Sequence, residues 1–361
     1  MAAGNWWVDF FDESYRRLWA PVLGEERTRW EVDGLCALLQ HLGPNLTIVD
    51  VCGGDGRVAR PIAAEGHQVV VVDVSRSMLQ SGAAQVGGGD VVFVQGDARA
   101  LPLCGTADVA FNIFSSFGFF EAEEAHLQML RAIAAALKPG GYLILDTIHR
   151  DHAAHQAPIK TWFELDDRTR VLRSFEFDPI AGRSHEQLRA FQQQGEVSKQ
   201  WSCRIFTGTE FDTMLRAAGL LPEFWFNGFT FEPFGPDSPR LLLVARKPGP
   251  RAIPEDASFE LDVREVEMGL NPVHWSELAV LTCPATRQPL TSLDDERLAQ
   301  LNAAIGDGRV RTQGGEAFRE AIDGALIRED GAIAYPVVDN IPVLMVTEGL
   351  VLNDLFAETQ D

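Results

Sequence analysis

Val49-Asp50-Val51-Cys52-Gly53-Gly54-Asp55-Gly56-Arg57 closes the apolar run TIVDV (47–51) and leads into a helical pattern over 58–65. A buried strand, a glycine-rich turn and a helix open a βαβ unit, and glycine there lets backbone approach a ligand at positive φ. The rhythm repeats outward. QVVVVDV (68–74), VVFVQGD (91–97), ADVAFNIF (107–114) and GYLILDTI (141–148) are continuous apolar runs ending in polar residues, as expected of buried parallel strands. Helical segments at 77–85 and 123–137 lie between them, the second stopped by Lys138-Pro139-Gly140-Gly141. The predicted class is α/β: a Rossmann-like sheet with helices on both faces, binding ligands at the carboxyl ends of its strands.

Between about 160 and 206, WFELDD, TRVLRSFEF, RSHEQLRAF and SKQWSCRIF alternate polar and apolar residues around a turn at Asp178-Pro179-Ile180-Ala181-Gly182. This predicts an antiparallel β cap inserted at about 156–206, roofing the ligand crevice. Thr207-Gly208-Thr209-Glu210 offers a capping box for a helix to about Ala218, and PRLLLVARK (239–247) closes the unit as a strand. Arg246-Lys247-Pro248-Gly249-Pro250 then punctuates the chain. The expected organisation is an N-terminal helical lid (1–30), the sheet domain (31–247), a linker (248–270) and a small α+β domain (271–361).

With 361 residues, 46% of them hydrophobic, the chain can bury a large core. Fifty-two acidic against 31 basic residues leave a net charge of −21, and −13 of it falls in residues 249–361. Such a surface repels phosphates, so nucleic acid is not an expected partner. The start lacks a basic segment followed by an apolar run, and no stretch of about 18 apolar residues occurs, so a cytoplasmic protein with no membrane partner is expected. Cys36, Cys52, Cys104, Cys203 and Cys283 are scattered, without C-x-x-C pairs. Twenty-seven Arg against four Lys, with frequent Ala and Gly, point to a GC-rich bacterial genome.

Four features fall at one edge of the inferred sheet: the glycine loop, Asp73 ending the second strand, Gln95-Gly96-Asp97-Ala98 ending the third, and Leu137-Lys138-Pro139-Gly140-Gly141 before the fifth. In this order and spacing, over about residues 30–247, the chain resembles the class I S-adenosylmethionine-dependent methyltransferases. A dinucleotide dehydrogenase also places an acid after its second strand, but the glycine pattern argues against it. The resemblance implies S-adenosylmethionine as cofactor. Asp73 would hold the ribose, whose two hydroxyls are donors to a carboxylate, and Asp97 with the Ala98 backbone would meet the adenine. Gly54 and Gly56 would line the methionine side and Met78 pack on the adenine, with Asp50, Cys52, Gly53, Val74 and Asn112 completing the set. Cys52 stands where the family usually has its first glycine.

For the acceptor, Asn112-Ile113-Phe114-Ser115-Ser116-Phe117-Gly118-Phe119-Phe120 resembles an aromatic segment of bacterial small-molecule methyltransferases. Phe114, Ser115 and Phe117 are therefore candidate substrate contacts, with Trp162, Arg204 and Arg240 from the roof. Asp146-Thr147-Ile148-His149-Arg150-Asp151-His152 ends the fifth strand; His149 is the candidate general base, since its ordinary pKa suits proton uptake at neutral pH, and Asp146 is grouped with it. His149, His152 and His155 recur every third residue, but Pro158 suggests a loop, and no metal is expected. Tyr15 and Arg29, in or after the aromatic N-terminal run, are candidates for the methionine carboxylate.

Leu278-Ala279-Val280-Leu281-Thr282-Cys283-Pro284 and Tyr335-Pro336-Val337-Val338-Asp339-Asn340-Ile341-Pro342-Val343-Leu344 resemble the start and end of a zinc-ribbon-derived methyltransferase-activator domain. Thr286 occupies the place of its second cysteine and one thiolate cannot form a tetrahedral site, so a metal-free domain is expected, acting as a fused activator or a homodimerisation module. The expected function is transfer of a methyl group to nitrogen, oxygen or carbon of a small molecule, in secondary metabolism. Attack on a non-methyl sulfonium carbon, releasing methylthioadenosine, and a non-catalytic cofactor-binding role are the alternatives; an RNA substrate is disfavoured by charge.

Overall fold

The computed structural model describes residues 7–85, 91–165, 167–192, 195–254, 256–259, 280–352 and 355. Residues 1–6 of the expected lid, 260–270 of the linker and Leu278-Ala279 of the C-terminal motif lie outside them. Helices α1 (Trp7–Phe10), α2 (Glu13–Trp19) and α3 (Glu25–Leu39) precede the sheet. Strands β1 (Thr47–Val51), β2 (Gln68–Asp73), β3 (Val91–Gly96), β4 (Ala107–Asn112) and β5 (Leu137–Ile148) pair in parallel in the order β3-β2-β1-β4-β5. Between them run α4 (Ala59–Ala64), α5 (Arg76–Ala83) and α6 (Glu123–Ala136). The strand alternation divides the apolar residues between two faces. Val70 and Val72 pack with Met129 and Leu130 of α6, whereas Val69 and Val71 pack with Leu35 of α3, Ile62 of α4 and Leu79 of α5. Each such side chain contributes roughly 1.5–3 kcal/mol by leaving water.

The expected stop before the fifth strand lies inside it: Leu137 already pairs with Ala107, and the ladder shifts register before Tyr142 pairs with Val109. The three-histidine segment is the short helix α7 (Arg150–Gln156), not a loop; Pro158 falls beyond its end, where it costs no helical hydrogen bond. The cap is a four-stranded antiparallel sheet, β6 (Ile159–Glu164), β7 (Arg170–Asp178), β8 (Arg183–Gln192) and β9 (Gly195–Arg204). Thr207 and Glu210 form the capping box of α8 (Gly208–Ala217). The sequence reading has no counterpart for β10 (Leu221–Phe226), the edge partner of β11 (Arg240–Arg246), which runs antiparallel to β5.

The chain after β11 is packed from its start. The Ile253 amide donates to the Tyr142 hydroxyl, Arg251 pairs with Asp108, and the Phe259 ring meets Phe224, Phe226 and Phe231. The C-terminal unit contains β12 (Leu290–Ser292), α9 (Asp295–Gly306), β13 (Arg311–Thr312), β14 (Gly324–Arg328), β15 (Ile333–Val338), β16 (Ile341–Leu344) and β17 (Leu350–Val351). Its β16 lies parallel to β3, Val343 beside Gln95 and Leu344 beside Gly96, so one sheet runs through both units in the order β3-β16-β15-β14-β12. Leu281, Cys283 and Tyr335 join the core packed on the α6 face.

Candidate functional site

A cavity opens at the carboxyl ends of β1 to β4. Asp50, Cys52, Gly53, Gly54, Asp73, Val74, Met78, Asp97 and Ala98 all line it. Its shape depends on small residues: a Cβ on Gly53 would stand 2.5 Å from the Asp50 carboxyl. Gly54 and Gly56 have φ of 58° and 70°. Gly56 contributes through this turn and does not itself line the cavity, since a Cβ there would meet the Phe93 ring at 2.9 Å. Cys52 shares the left-handed backbone at φ 62°, which explains why glycine is usual at this point. Its thiol is pushed far above its ordinary pKa by burial and then by Asp73 and Asp97, so it is no nucleophile at neutral pH.

Asp73 accepts from the Gly54 amide at 2.9 Å and the Ser75 amide at 2.8 Å, tying the β1 loop to the β2 loop. Burial raises its pKa, opposed by those amides. Asp97 is held otherwise: its carboxylate takes the Arg99 amide at 2.8 Å and the Arg99 guanidinium in a bidentate pair. Arg99 in turn stands over the rings of Trp7 and Phe120. Asp50 carries a pKa raised to about 7, first by burial, with Arg57 opposing. Asn112 is fully buried beneath the cavity, its amide donating to the Val51 carbonyl at 2.9 Å.

The N-terminal segment covers the cavity, with Trp7, Phe11, Tyr15 and Leu23 in its wall. Phe11 packs edge-on against Tyr15 and Phe119. Arg29 is exposed on α3 and does not reach the cavity, because its helical position turns it outward. Among the described residues the cation that lines the cavity is Arg57, bonded to Glu31 at 2.6 Å and to Thr28 at 2.9 Å; Glu31 also pairs with Arg27. Arg57 directly follows Gly56, and a cation at the end of a glycine loop is the signal that could have marked it.

At the acceptor end, Ile113, Phe114, Ser116, Phe119 and Phe120 line the cavity, but Ser115 and Phe117 do not. Gly118, at φ 122°, turns the chain so that Phe117 enters the core against Phe206 and Phe211. Trp162 is 62% exposed on β6, turned away from the cavity. Arg204 pairs with Glu123 and Glu210 outside it. Arg240 and Asp146 pair with each other at 2.7 and 2.5 Å. His149 is buried, its Nδ1 bonded to the Ser238 carbonyl at 2.7 Å and its ring against Phe234, so it ties the end of β5 to the segment before β11 and does not line the cavity. Among the described residues no three His, Cys, Asp or Glu side chains group as a metal site. The Cys283 thiol lies 3.2 Å from the Tyr335 hydroxyl, with the Thr286 amide directed at it.

Residues 48–141 match the model of a methyltransferase domain. The match runs from β1 into β5 and so includes the whole glycine loop, Asp73 and Asp97. Cypemycin N-terminal methyltransferase from a Streptomyces species is 36% identical over 100 residues, 28% of this chain; the chain spans only 41% of that relative. The putative methyltransferase YqeM of Bacillus subtilis is 23% identical over 244 residues, 66% of this chain and 96% of that one. Among solved structures, the CcbJ methyltransferase from Streptomyces caelestis covers 61% of this chain and 90% of its own at a TM-score of 0.54 and 24% identity. The fold is that of the class I methyltransferases.

Proposed function

We propose that the protein is an S-adenosylmethionine-dependent methyltransferase acting on a small molecule. The observation that carries this reading is the position of Asp73: a buried carboxylate at the end of β2, bound to the glycine loop through the Gly54 amide and to its own loop through the Ser75 amide, and facing the cavity. Two amides leave about two of its lone-pair sites for the vicinal hydroxyls of a ribose. The residues present fit the cofactor. A Cβ on Gly54 would stand 3.2 Å from Met78 Cε and one on Gly53 would collide with the Asp50 carboxyl, so the loop needs both glycines; Met78 and Ala98 offer apolar contact, and Arg57 and Asp50 are of opposite sign for a zwitterionic amino acid. The cofactor, when bound, supplies an electrophilic methyl on a sulfonium.

What the chain supplies is alignment and exclusion of water. Phe11, Tyr15, Phe114, Phe119 and Phe120 form an apolar wall whose ring faces suit an electron-poor methyl. No histidine lines the cavity among the described residues, so the acceptor's proton leaves without His149. Apolar walls with few polar groups favour a small acceptor. The names of similar proteins point to nitrogen, oxygen and carbon acceptors alike, and the acidic surface favours none with phosphates.

The C-terminal unit fits a built-in activator of this site, descended from the zinc-ribbon type without its ion. It grips the chain where it leaves β3: β16 pairs with the last residues of that strand, and Arg287 donates to the carbonyls of Leu101 and Leu103 in the connection that follows. Arg76, three residues after Asp73, pairs with Glu320 and Asp339. Among the described residues no helix is long and apolar enough to cross a membrane. Mass spectrometry of cofactor turnover with candidate acceptors tests the function. S-adenosylhomocysteine formed together with a methylated product supports it; methylthioadenosine formed only with active enzyme overturns it.

A further inference from the structure

Phe114 and Ser115, consecutive at the end of β4, have φ of 59° and 61°. Neither is a glycine, and a bulky residue in the left-handed region persists only where its surroundings hold it. Asp146 does so from β5: its carboxylate accepts the Phe114 amide at 3.0 Å and its backbone carbonyl accepts the Ser115 amide at 2.9 Å. Arg240, on the neighbouring β11, grips both carboxylate oxygens and also donates to the Ser115 hydroxyl at 3.1 Å. That hydroxyl accepts the Ile148 amide as well. The outcome is a turn in which Ser115 faces the sheet while the Phe114 ring faces the cavity, with the Arg27 and Arg240 guanidinium groups beside it.

We propose that Asp146 and Arg240 are positioning residues: together they hold the Phe114–Ser115 backbone in its left-handed form and so fix the Phe114 wall of the cavity. Neither needs to touch the cofactor or the acceptor. An ordinary buried ion pair would stabilise the fold without acting on one turn; here two hydrogen bonds of the pairing side chains end on that turn, beside a third from the Asp146 backbone carbonyl.

The test uses the full chain with S-adenosylhomocysteine as the probe, and so rests on the cofactor reading above. Arg240→Lys keeps the charge beside Asp146 but loses the fork that reaches Ser115; Asp146→Ala loses the carboxylate that accepts from Phe114 and leaves only the backbone bond to Ser115. Calorimetry is expected to show at least tenfold weaker binding for either, with cooperative melting retained. Hydrogen exchange is expected to quicken at Phe114 and Ser115 while the β1 loop stays protected. Adding Ser115→Gly to either variant should recover at least threefold in affinity, because glycine takes positive φ without strain. A merely structural pair would give no recovery. Affinity and exchange at the wild-type level in Arg240→Lys, or no recovery with Ser115→Gly, overturns the proposal. If Asp146→Ala fails to fold, Arg240→Lys decides. A wild type that does not bind the probe fails the cofactor reading instead, and exchange at residues 114 and 115 still decides whether the pair holds the turn.

Discussion

Replacing Asp73 by alanine perturbs both the apo loop and the cofactor site, and the two effects separate. In the free protein the carboxylate satisfies the Gly54 and Ser75 amides. Hydrogen bonds to charged groups contribute roughly 1.5–3 kcal/mol each, but here burial raises the Asp73 pKa and offsets part of that gain. A net stability loss of about 1–3 kcal/mol is expected, read as a melting temperature lower by several degrees. Binding loses in addition the two ribose contacts, about 1.5–3 kcal/mol, or a ten- to hundredfold weaker Kd for S-adenosylhomocysteine. Asp73→Asn keeps the shape and one acceptor oxygen, so it should fall between. Calorimetry at a temperature well below both melting points isolates the binding effect. An Asp73→Ala protein that melts lower yet binds with wild-type affinity would refute the ribose assignment.

Asp50 gives a pH test: its folded pKa of about 7 lies above the ordinary carboxylate value, so its ionisation opposes folding as pH rises toward 7, and a cationic amine on a ligand relieves that cost. The rise in melting temperature caused by S-adenosylhomocysteine should be larger at pH 8 than at pH 6, and Asp50→Asn should flatten the difference. Leu344→Asp places a charge in a fully buried position beside Gly96 and should cost several kcal/mol and weaken cofactor binding, measured by thermal melting and calorimetry. His149→Ala should lower stability by about 1–3 kcal/mol through the lost bond to Ser238, with the Kd for S-adenosylhomocysteine unchanged.

The parallel strands were legible because a strand buried on both faces has to be apolar throughout, and a loop that must turn at positive φ has to carry glycine. Asp73 and Asp97 were legible for the same reason, as polar residues ending such runs. The acceptor end was not. Whether Phe117 or Phe119 faces the cavity depends on the turn at Gly118, and that is set by close approach to the Arg204 carbonyl, a residue 86 positions later. Asp146 and Arg240 each read as a polar residue at a strand end, and only the antiparallel register of β5 and β11 shows that they pair. His149 reads in the sequence as a polar residue ending a strand, and only the fold brings its ring to a carbonyl 89 residues away. The attachment of the C-terminal unit to β3 is a backbone pairing with no side-chain signature, so nothing in its motifs announces it.

The central claim is that the cavity at the glycine loop is built for S-adenosylmethionine rather than a dinucleotide. It is tested most directly by titrating the full chain with S-adenosylhomocysteine and, in parallel, with NAD in a calorimeter. One S-adenosylhomocysteine bound per chain with no heat from NAD is the predicted result; saturable NAD binding in the absence of any S-adenosylhomocysteine binding would contradict it.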